Sequence, residues 1–96
     1  MDVCWTRRAK RRLQQIGHYI AQDNPRAALK TVQRIWDSGN KLASHPGIGR
    51  DGRVAGTREL VVQANYIVIY RVRKNVVEIV TVQHAASLDF HGPEFP

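Results

Sequence analysis

Four side chains in the C-terminal half of the chain could bind an anion or move a proton. They are Arg53, Arg58, Arg71 and His84. An arginine guanidinium binds phosphate or carboxylate through charge-assisted hydrogen bonds, and a histidine can serve as a general acid or base. The four residues predict an anion-binding surface, with His84 able to exchange a proton.

Each of these residues also has a structural explanation. Arg71 lies opposite Glu78 in the hairpin predicted below, so a cross-strand ion pair would account for both. Arg58 adjoins Glu59, but neighbours on a strand point to opposite faces, so these two do not neutralise each other locally. His84 ends a predicted strand, where a capping or packing role fits equally well. The residue pattern leaves the functional and structural interpretations open.

No metal or cofactor site is predicted. The histidines lack short ligand spacings and no cysteine cluster accompanies them. The glycines Gly47, Gly49 and Gly52 are spaced wrongly for a phosphate-binding loop, and no predicted strand precedes them. We therefore expect no cofactor.

The candidate residues belong to a predicted sheet. Three runs rich in Val, Ile, Tyr and Thr lie between Gly52 and His84, which is the composition of strands. Lys74 and Asn75 separate the last two runs and predict a two-residue hairpin turn. With that turn, Arg71 pairs with Glu78, Ile69 with Val80, and Ile67 with Val82.

This register sorts the hairpin into two faces. The continuous apolar face consists of Tyr66, Val68, Tyr70, Val72, Val77, Ile79 and Thr81. The mixed face consists of Ile67, Ile69, Arg71, Arg73, Glu78, Val80, Val82 and His84. We expect the apolar face to be the core face. The mixed face is left to solvent, to the C-terminal tail or to a partner, and is where function is expected.

Two amphipathic helices are predicted ahead of the sheet. Thr6 is a candidate N-cap for the first helix, whose apolar face carries Ala9, Leu13, Ile16 and Ile20. Its opposite face carries five cations, Arg7, Arg8, Lys10, Arg11 and Arg12. Asn24 and Pro25 predict the start of a second helix, whose apolar stripe is Ala28, Val32, Ile35 and Leu42, widened by Leu29 and Trp36.

The order of elements predicts an α+β fold in a single domain over residues 1–96. Val3–Trp5 is expected to form a short edge strand. The antiparallel helical hairpin and a three-stranded antiparallel sheet follow. No apolar run approaches the roughly 20 residues that cross a bilayer. The single cysteine, Cys4, is expected to be buried and fits a reducing compartment, so a cytoplasmic location is predicted.

The charge balance predicts an anionic partner. The net charge is +7 and the sequence pI is about 10.3. That partner would be nucleic acid, an assembly that contains nucleic acid, or an acidic protein. The alternative is that the charge only keeps the surface solvated.

The chain resembles the RelE/ParE toxin superfamily over roughly residues 3 to 86. The helical part of the resemblance includes Trp5, Tyr19 and Asn24-Pro25. The remainder is carried by residues 42–46, Gly49-Arg50, residues 56–60, residues 66–72 and residues 80–84. The order and spacing of these segments carry the match, since no single segment is decisive.

The resemblance implies the toxin of a type II toxin–antitoxin module. It implies a cognate antitoxin that wraps a flexible segment over the toxin and binds operator DNA through its own domain. An acidic, partly hydrophobic segment would suit a basic protein with a mixed face. The target- or antitoxin-binding residues would then be Arg53, Arg58, Ile67, Ile69, Arg71, Val80, Val82 and His84.

The superfamily contains two kinds of toxin. RelE-like members cleave mRNA in the ribosomal A site with Arg, Lys and often Tyr or His, whereas ParE-like members inhibit DNA gyrase. Ile67 stands where RelE-like chains usually carry an arginine, and the residues after His84 lack the Arg and Tyr of the ribonucleases. The resemblance therefore favours a gyrase inhibitor. One alternative that the resemblance implies is a ribosome-dependent endoribonuclease, whose catalytic set would be Arg58, Arg71 and His84. The other is a degenerate toxin that only binds its antitoxin.

Overall fold

Both helices begin at the side-chain caps that the sequence predicts. The computed structural model describes residues 1–63 and 65–85. Helix α1 (Arg7–Ala21) follows Thr6, whose Oγ1 accepts a hydrogen bond from the Ala9 amide at 3.1 Å. Helix α2 (Pro25–Asn40) follows Asn24, whose Oδ1 accepts from the Ala27 amide at 3.0 Å. These bonds satisfy amides that have no partner within the helix.

The sheet contains five strands among the described residues. They are β1 (Asp2–Trp5), β2 (Arg50–Asp51), β3 (Arg58–Val62), β4 (Tyr66–Arg73) and β5 (Val76–His84), in the spatial order β1-β5-β4-β3-β2. β1 pairs parallel with β5, and the other pairs are antiparallel. The predicted α+β class is confirmed. The two-residue strand β2 was not predicted, because it is too short to give a sequence pattern.

The predicted turn of the β4–β5 hairpin is confirmed. The predicted strand register is confirmed only near that turn. Lys74 and Asn75 both have positive φ, 52° and 64°, as a type I′ turn requires. Arg71 pairs with Glu78 as expected. The register then shifts between Ile69 and Tyr70, so Ile69 pairs with Thr81 instead of Val80. Val80 is the extra residue of a β-bulge.

The bulge changes which side chains face the helices. Val82 pairs with Val68 and is buried in the main core, and His84 pairs with Tyr66. Both had been assigned to the mixed face, and that assignment was wrong. Ile67 and Ile69 remain on that face, but they are only 4% and 1% exposed. Ile67, Ile69, Val80 and Val82 were expected to be uncovered without a partner. This expectation is wrong for Ile67, Ile69 and Val82, whereas Val80 is partly exposed.

The main core lies between the helices and one face of the sheet. Its buried members include Trp5, Ala9, Leu13, Ile16, Ile35, Leu42, Val62, Val68, Tyr70, Val77, Ile79 and Val82. Leu29, expected to widen the buried stripe of α2, is instead 75% exposed. Cys4 is also exposed, since the core side of β1 is the side that carries Trp5. No helix in the described part of the chain is long and apolar enough to cross a membrane.

Trp5 joins the edge of the sheet to the end of α2. Its indole Nε1 donates to Asn40 Oδ1 at 2.9 Å, and its ring stacks on Trp36 with 4.7 Å between centroids. A methyl group at Gly39 would lie 2.5 Å from the Trp5 ring. Glycine at this position therefore allows the helix to approach the indole closely.

We expect Trp5→Ala to lower the free energy of unfolding by about 3–5 kcal/mol, because it removes a buried indole and leaves a cavity. Urea unfolding followed by circular dichroism would measure the loss. Trp36→Ala is the matched control, since it breaks the same ring stack from a partly exposed position. An equal loss in the two variants would contradict the anchoring role given to Trp5.

Candidate functional site

A buried carboxylate organises the arginines at the β2–β3 end of the sheet. Glu59 is 3% exposed and pairs with Arg50 across the two strands. Arg50 places Nε at 3.1 Å and Nη2 at 3.0 Å from Glu59 Oε1. The Arg53 amide donates to Glu59 Oε2 at 3.2 Å. A buried charge needs such partners, so Glu59 holds the segment from Arg50 to Arg53 against β3.

A buried hydroxyl fixes the turn that precedes β2. Tyr70 Oη donates to the Pro46 carbonyl at 2.7 Å and accepts from the Gly49 amide at 2.9 Å. A methyl group at Gly49 would lie 2.7 Å from that hydroxyl oxygen. The close approach favours glycine at this position, and the two hydrogen bonds determine where the chain enters β2.

Arg58 is held by two segments on the same side of the sheet. Its Nη2 donates to the Gly47 carbonyl at 3.2 Å, and its Nη1 lies 3.3 Å from Asp51 Oδ1. Its Nε is buried and has no hydrogen-bond partner in the described residues. The guanidinium is therefore fixed in place, as a group that binds a carboxylate or phosphate should be.

Arg71 lies on the opposite face and pairs with Glu78, so the predicted cross-strand ion pair is present. The hydrogen bond to Glu78 uses Nε. Beside this pair lies a hollow of about 500 Å³ under the loop that precedes β3, which we call the loop hollow. It is lined by Val54, Ala55, Gly56, Thr57, Arg71, Val72, Arg73 and Val80. Its lining combines aliphatic side chains with two guanidinium groups.

His84 lies at the other end of the hairpin. It pairs with Tyr66, and the two rings meet edge to face with centroids 5.3 Å apart. Arg58 pairs with Tyr70, four residues further along β4. At about 3.4 Å per residue, Arg58 and His84 are roughly 13 Å apart along the strand direction, on strands that flank β4.

The three residues of the predicted catalytic set are therefore not brought together. Arg58 shares the face of Tyr70, whereas Arg71 follows Tyr70 directly and points to the opposite face. His84 is separated from both. Arg53, in contrast, lies beside Arg50 and Arg58 at the β2–β3 end.

Sequence reasoning missed the groups that position this end of the sheet. Arg50 and Glu59 were not singled out, because their pairing depends on β2. Tyr70 was assigned to the core face, which is correct, but its hydroxyl contacts lie 21 and 24 residues away. Two glycines close to Pro46 were the only local signal of a tightly packed turn. No cluster of His, Cys, Asp or Glu within the described residues could hold a metal ion.

A family model described as the ParE toxin of the type II toxin–antitoxin system parDE matches residues 3–88. The chain belongs to the ParE toxin family. It is thus the toxin of a type II toxin–antitoxin module within the RelE/ParE superfamily, and the resemblance inferred from the sequence is confirmed.

Relatives of this ParE-family toxin match it over most of their length. A protein of Sinorhizobium fredii designated Y4kP is 50% identical over 84 residues, which are 86% of each chain. Toxin RelE2 of Caulobacter vibrioides is 41% identical over 87 residues, covering 91% of this chain and 98% of the relative.

Solved structures share the fold of this ParE-family toxin. A chain of the chromosomal ParDE toxin–antitoxin system from P. aeruginosa has a TM-score of 0.78 and 31% identity. The match covers 88% of this chain and 95% of that one. The toxin–antitoxin complex RelBE2 from Mycobacterium tuberculosis matches with a TM-score of 0.59 at 24% identity, over 86% and 95% of the two chains, and this likeness concerns the fold alone. The P. aeruginosa structure comes from a ParDE toxin–antitoxin system, which supports a cognate antitoxin as partner.

We expect Tyr70→Phe to lower the free energy of unfolding by about 1–3 kcal/mol, because it leaves the buried Gly49 amide without its acceptor. Urea unfolding would measure the change. Tyr66→Phe is the matched control, since the Tyr66 hydroxyl bonds to no described residue, and it should stay within about 0.5 kcal/mol of wild type. Equal effects of the two substitutions would contradict the role assigned to the Tyr70 hydroxyl.

Proposed function

We propose that this ParE-family toxin acts by binding and inhibiting DNA gyrase, and that its cognate antitoxin neutralises it by covering the arginine-bearing end of the sheet. The family match over residues 3–88 and the 31% identity to a chain of a ParDE system support the ParE branch. A toxin that acts by binding needs a complementary surface and no assembled catalytic set.

The placement of the candidate residues is the observation that carries the proposal. General acid–base catalysis requires groups within hydrogen-bond reach of the same reacting atoms. Arg58 and Arg71 point to opposite faces, and His84 lies roughly 13 Å from Arg58 along the strand direction. These positions favour binding over turnover.

The proposed antitoxin-binding surface wraps around the β2–β3 end of the sheet, near Arg53, with Arg71 and the loop hollow on one face and Arg58 on the other. Its guanidinium groups and the aliphatic side chains Val54, Val72 and Val80 would suit an extended segment that carries both acidic and aliphatic residues. A segment lying on this surface would not reach Ile67, Ile69 or Val82, since all three are buried. It would contact His84 only by continuing to the far end of the hairpin.

The second candidate is a ribosome-dependent mRNA endoribonuclease. The 41% identity to a protein named Toxin RelE2 favours it. Arg58 and Arg71 would then hold phosphates, and His84 would transfer a proton, after a rearrangement that brings them together. A toxin that has lost its activity and only binds its antitoxin is the third candidate. It would leave growth unaffected when expressed alone.

We expect the purified chain to inhibit plasmid supercoiling by DNA gyrase, and His84→Ala to inhibit it equally well. His84 has no catalytic role in a toxin that acts by binding. His18→Ala, an exposed histidine on α1, is the matched control. The same variants would be expressed in cells without the antitoxin, where growth arrest should persist.

A nuclease would give the opposite pattern. Loss of a general acid or base costs about 10²-fold or more in rate. The proposal would be contradicted if His84→Ala abolished growth arrest, His18→Ala retained it, and the purified chain left gyrase uninhibited.

A further inference from the structure

The positive charge of helix α1 is concentrated at its amino end, where it is least favourable. The cations Arg7, Arg8, Lys10, Arg11 and Arg12 occupy the first half of the helix, and its first turn contains no acidic residue. The amino end of a helix has a partial positive charge, so cations there are unfavourable. Their repulsion adds to this cost, and a compensating anion is expected.

The described part of the chain does not supply that anion. Arg7, Arg8, Lys10 and Arg11 form no side-chain hydrogen bond or ion pair with any residue in 1–63 or 65–85. Arg12 differs, because its Nε donates to the Val82 carbonyl at 3.2 Å and its Nη1 to Gln15 Oε1 at 2.9 Å. A partner molecule could supply the anion for the other four.

A hollow with aromatic walls lies further along α1, beside Arg12. We call it the aromatic hollow; it has a volume of about 510 Å³ and is lined by Arg12, Gln15, Ile16, Tyr19, Tyr66 and His84. The side chain of Tyr19 is 75% exposed although it is a large aromatic group. Exposed rings beside cations are typical of surfaces that stack unpaired bases.

The helix geometry connects the cations to the hollow. Arg8, Arg12, Gln15 and Tyr19 follow one another at spacings of four, three and four residues, which places them along one side of α1. Arg11 flanks this line. Arg8 and Tyr19 are about 16 Å apart along the helix axis, at 1.5 Å per residue. A strand of several nucleotides could follow this line and place one base at the ring.

We propose that this side of α1 binds single-stranded nucleic acid, with Arg8 and Arg11 contacting phosphates and Tyr19 stacking on an unpaired base. A duplex would use the cations but offers no free base to the ring, whereas a single strand uses both. The site is separate from Arg58 and Arg71, and the inference does not depend on the choice of gyrase as target.

The test measures binding of the purified full-length chain to fluorescent 12-nucleotide dT and rU strands and to a 12-base-pair DNA duplex by fluorescence anisotropy. Tyr19→Ala should weaken single-strand binding about 5- to 150-fold, the range that stacking of one base accounts for. Tyr19→Phe should restore it, because the ring is retained. Leu29→Ala is the matched control, since that side chain is also 75% exposed.

The cations are tested separately by salt dependence. Arg8→Gln combined with Arg11→Gln should reduce the slope of log affinity against log salt for dT by about 1.4, which corresponds to two phosphate contacts on a single strand. Arg26→Gln combined with Lys30→Gln removes the same charge from α2 and should leave the slope nearly unchanged. Comparison of dT with rU shows which nucleic acid binds more tightly.

Several outcomes would overturn the proposal. One is that Tyr19→Ala binds the single strands with an affinity within twofold of wild type. Another is that Tyr19→Ala loses as much affinity for the duplex as for the single strands. Equal slopes in the two charge variants would mean that net charge alone attracts the strand. A polyglutamate peptide of equal charge that competes as well as dT would mean that the surface binds acidic polypeptides.

Discussion

One additional residue in β5 determines how the helices and the sheet meet. Val80 forms the bulge, and its carbonyl accepts a hydrogen bond from Thr6 Oγ1 at 2.8 Å. The Thr6 amide donates to the Ile79 carbonyl at 3.1 Å, while Thr6 Oγ1 also accepts from the Ala9 amide to cap α1. Arg12 then donates to the next outward carbonyl, that of Val82. The side chains of Thr6 and Arg12 thus donate hydrogen bonds to β5 carbonyls beyond the end of β1. Without these donors, that part of β5 would be an open sheet edge.

The bulge also distributes the candidate functional residues. It turns Val82 into the main core and moves His84 to the face of Tyr66, away from Arg71. The same change places His84 at the aromatic hollow beside α1. The arginines at the other end are positioned by separate contacts, those of Glu59 and of the Tyr70 hydroxyl. Basic side chains in the described part of the chain thus lie at both ends of the sheet.

Features specified by local sequence could be predicted, and those specified by distant contacts could not. The caps at Thr6 and Asn24, the Lys74–Asn75 turn and the Arg71–Glu78 pair each depend on residues within a few positions of one another or across a tight turn. The contact made by the bulged residue joins distant parts of the chain, since the Val80 carbonyl accepts from Thr6, 74 residues away. The burial of Glu59 depends on a two-residue strand without a pattern of its own. An error of one residue in register was sufficient to assign Val82 and His84 to the wrong face.

We propose that this toxin arrests growth by binding gyrase. The most direct test is pulse-labelling of DNA and protein synthesis in separate cultures during the first minutes after the chain is induced without its antitoxin. We expect DNA synthesis to fall first while translation continues. Early loss of translation with DNA synthesis intact would contradict the proposal and would make Arg58, Arg71 and His84 the first residues to mutate.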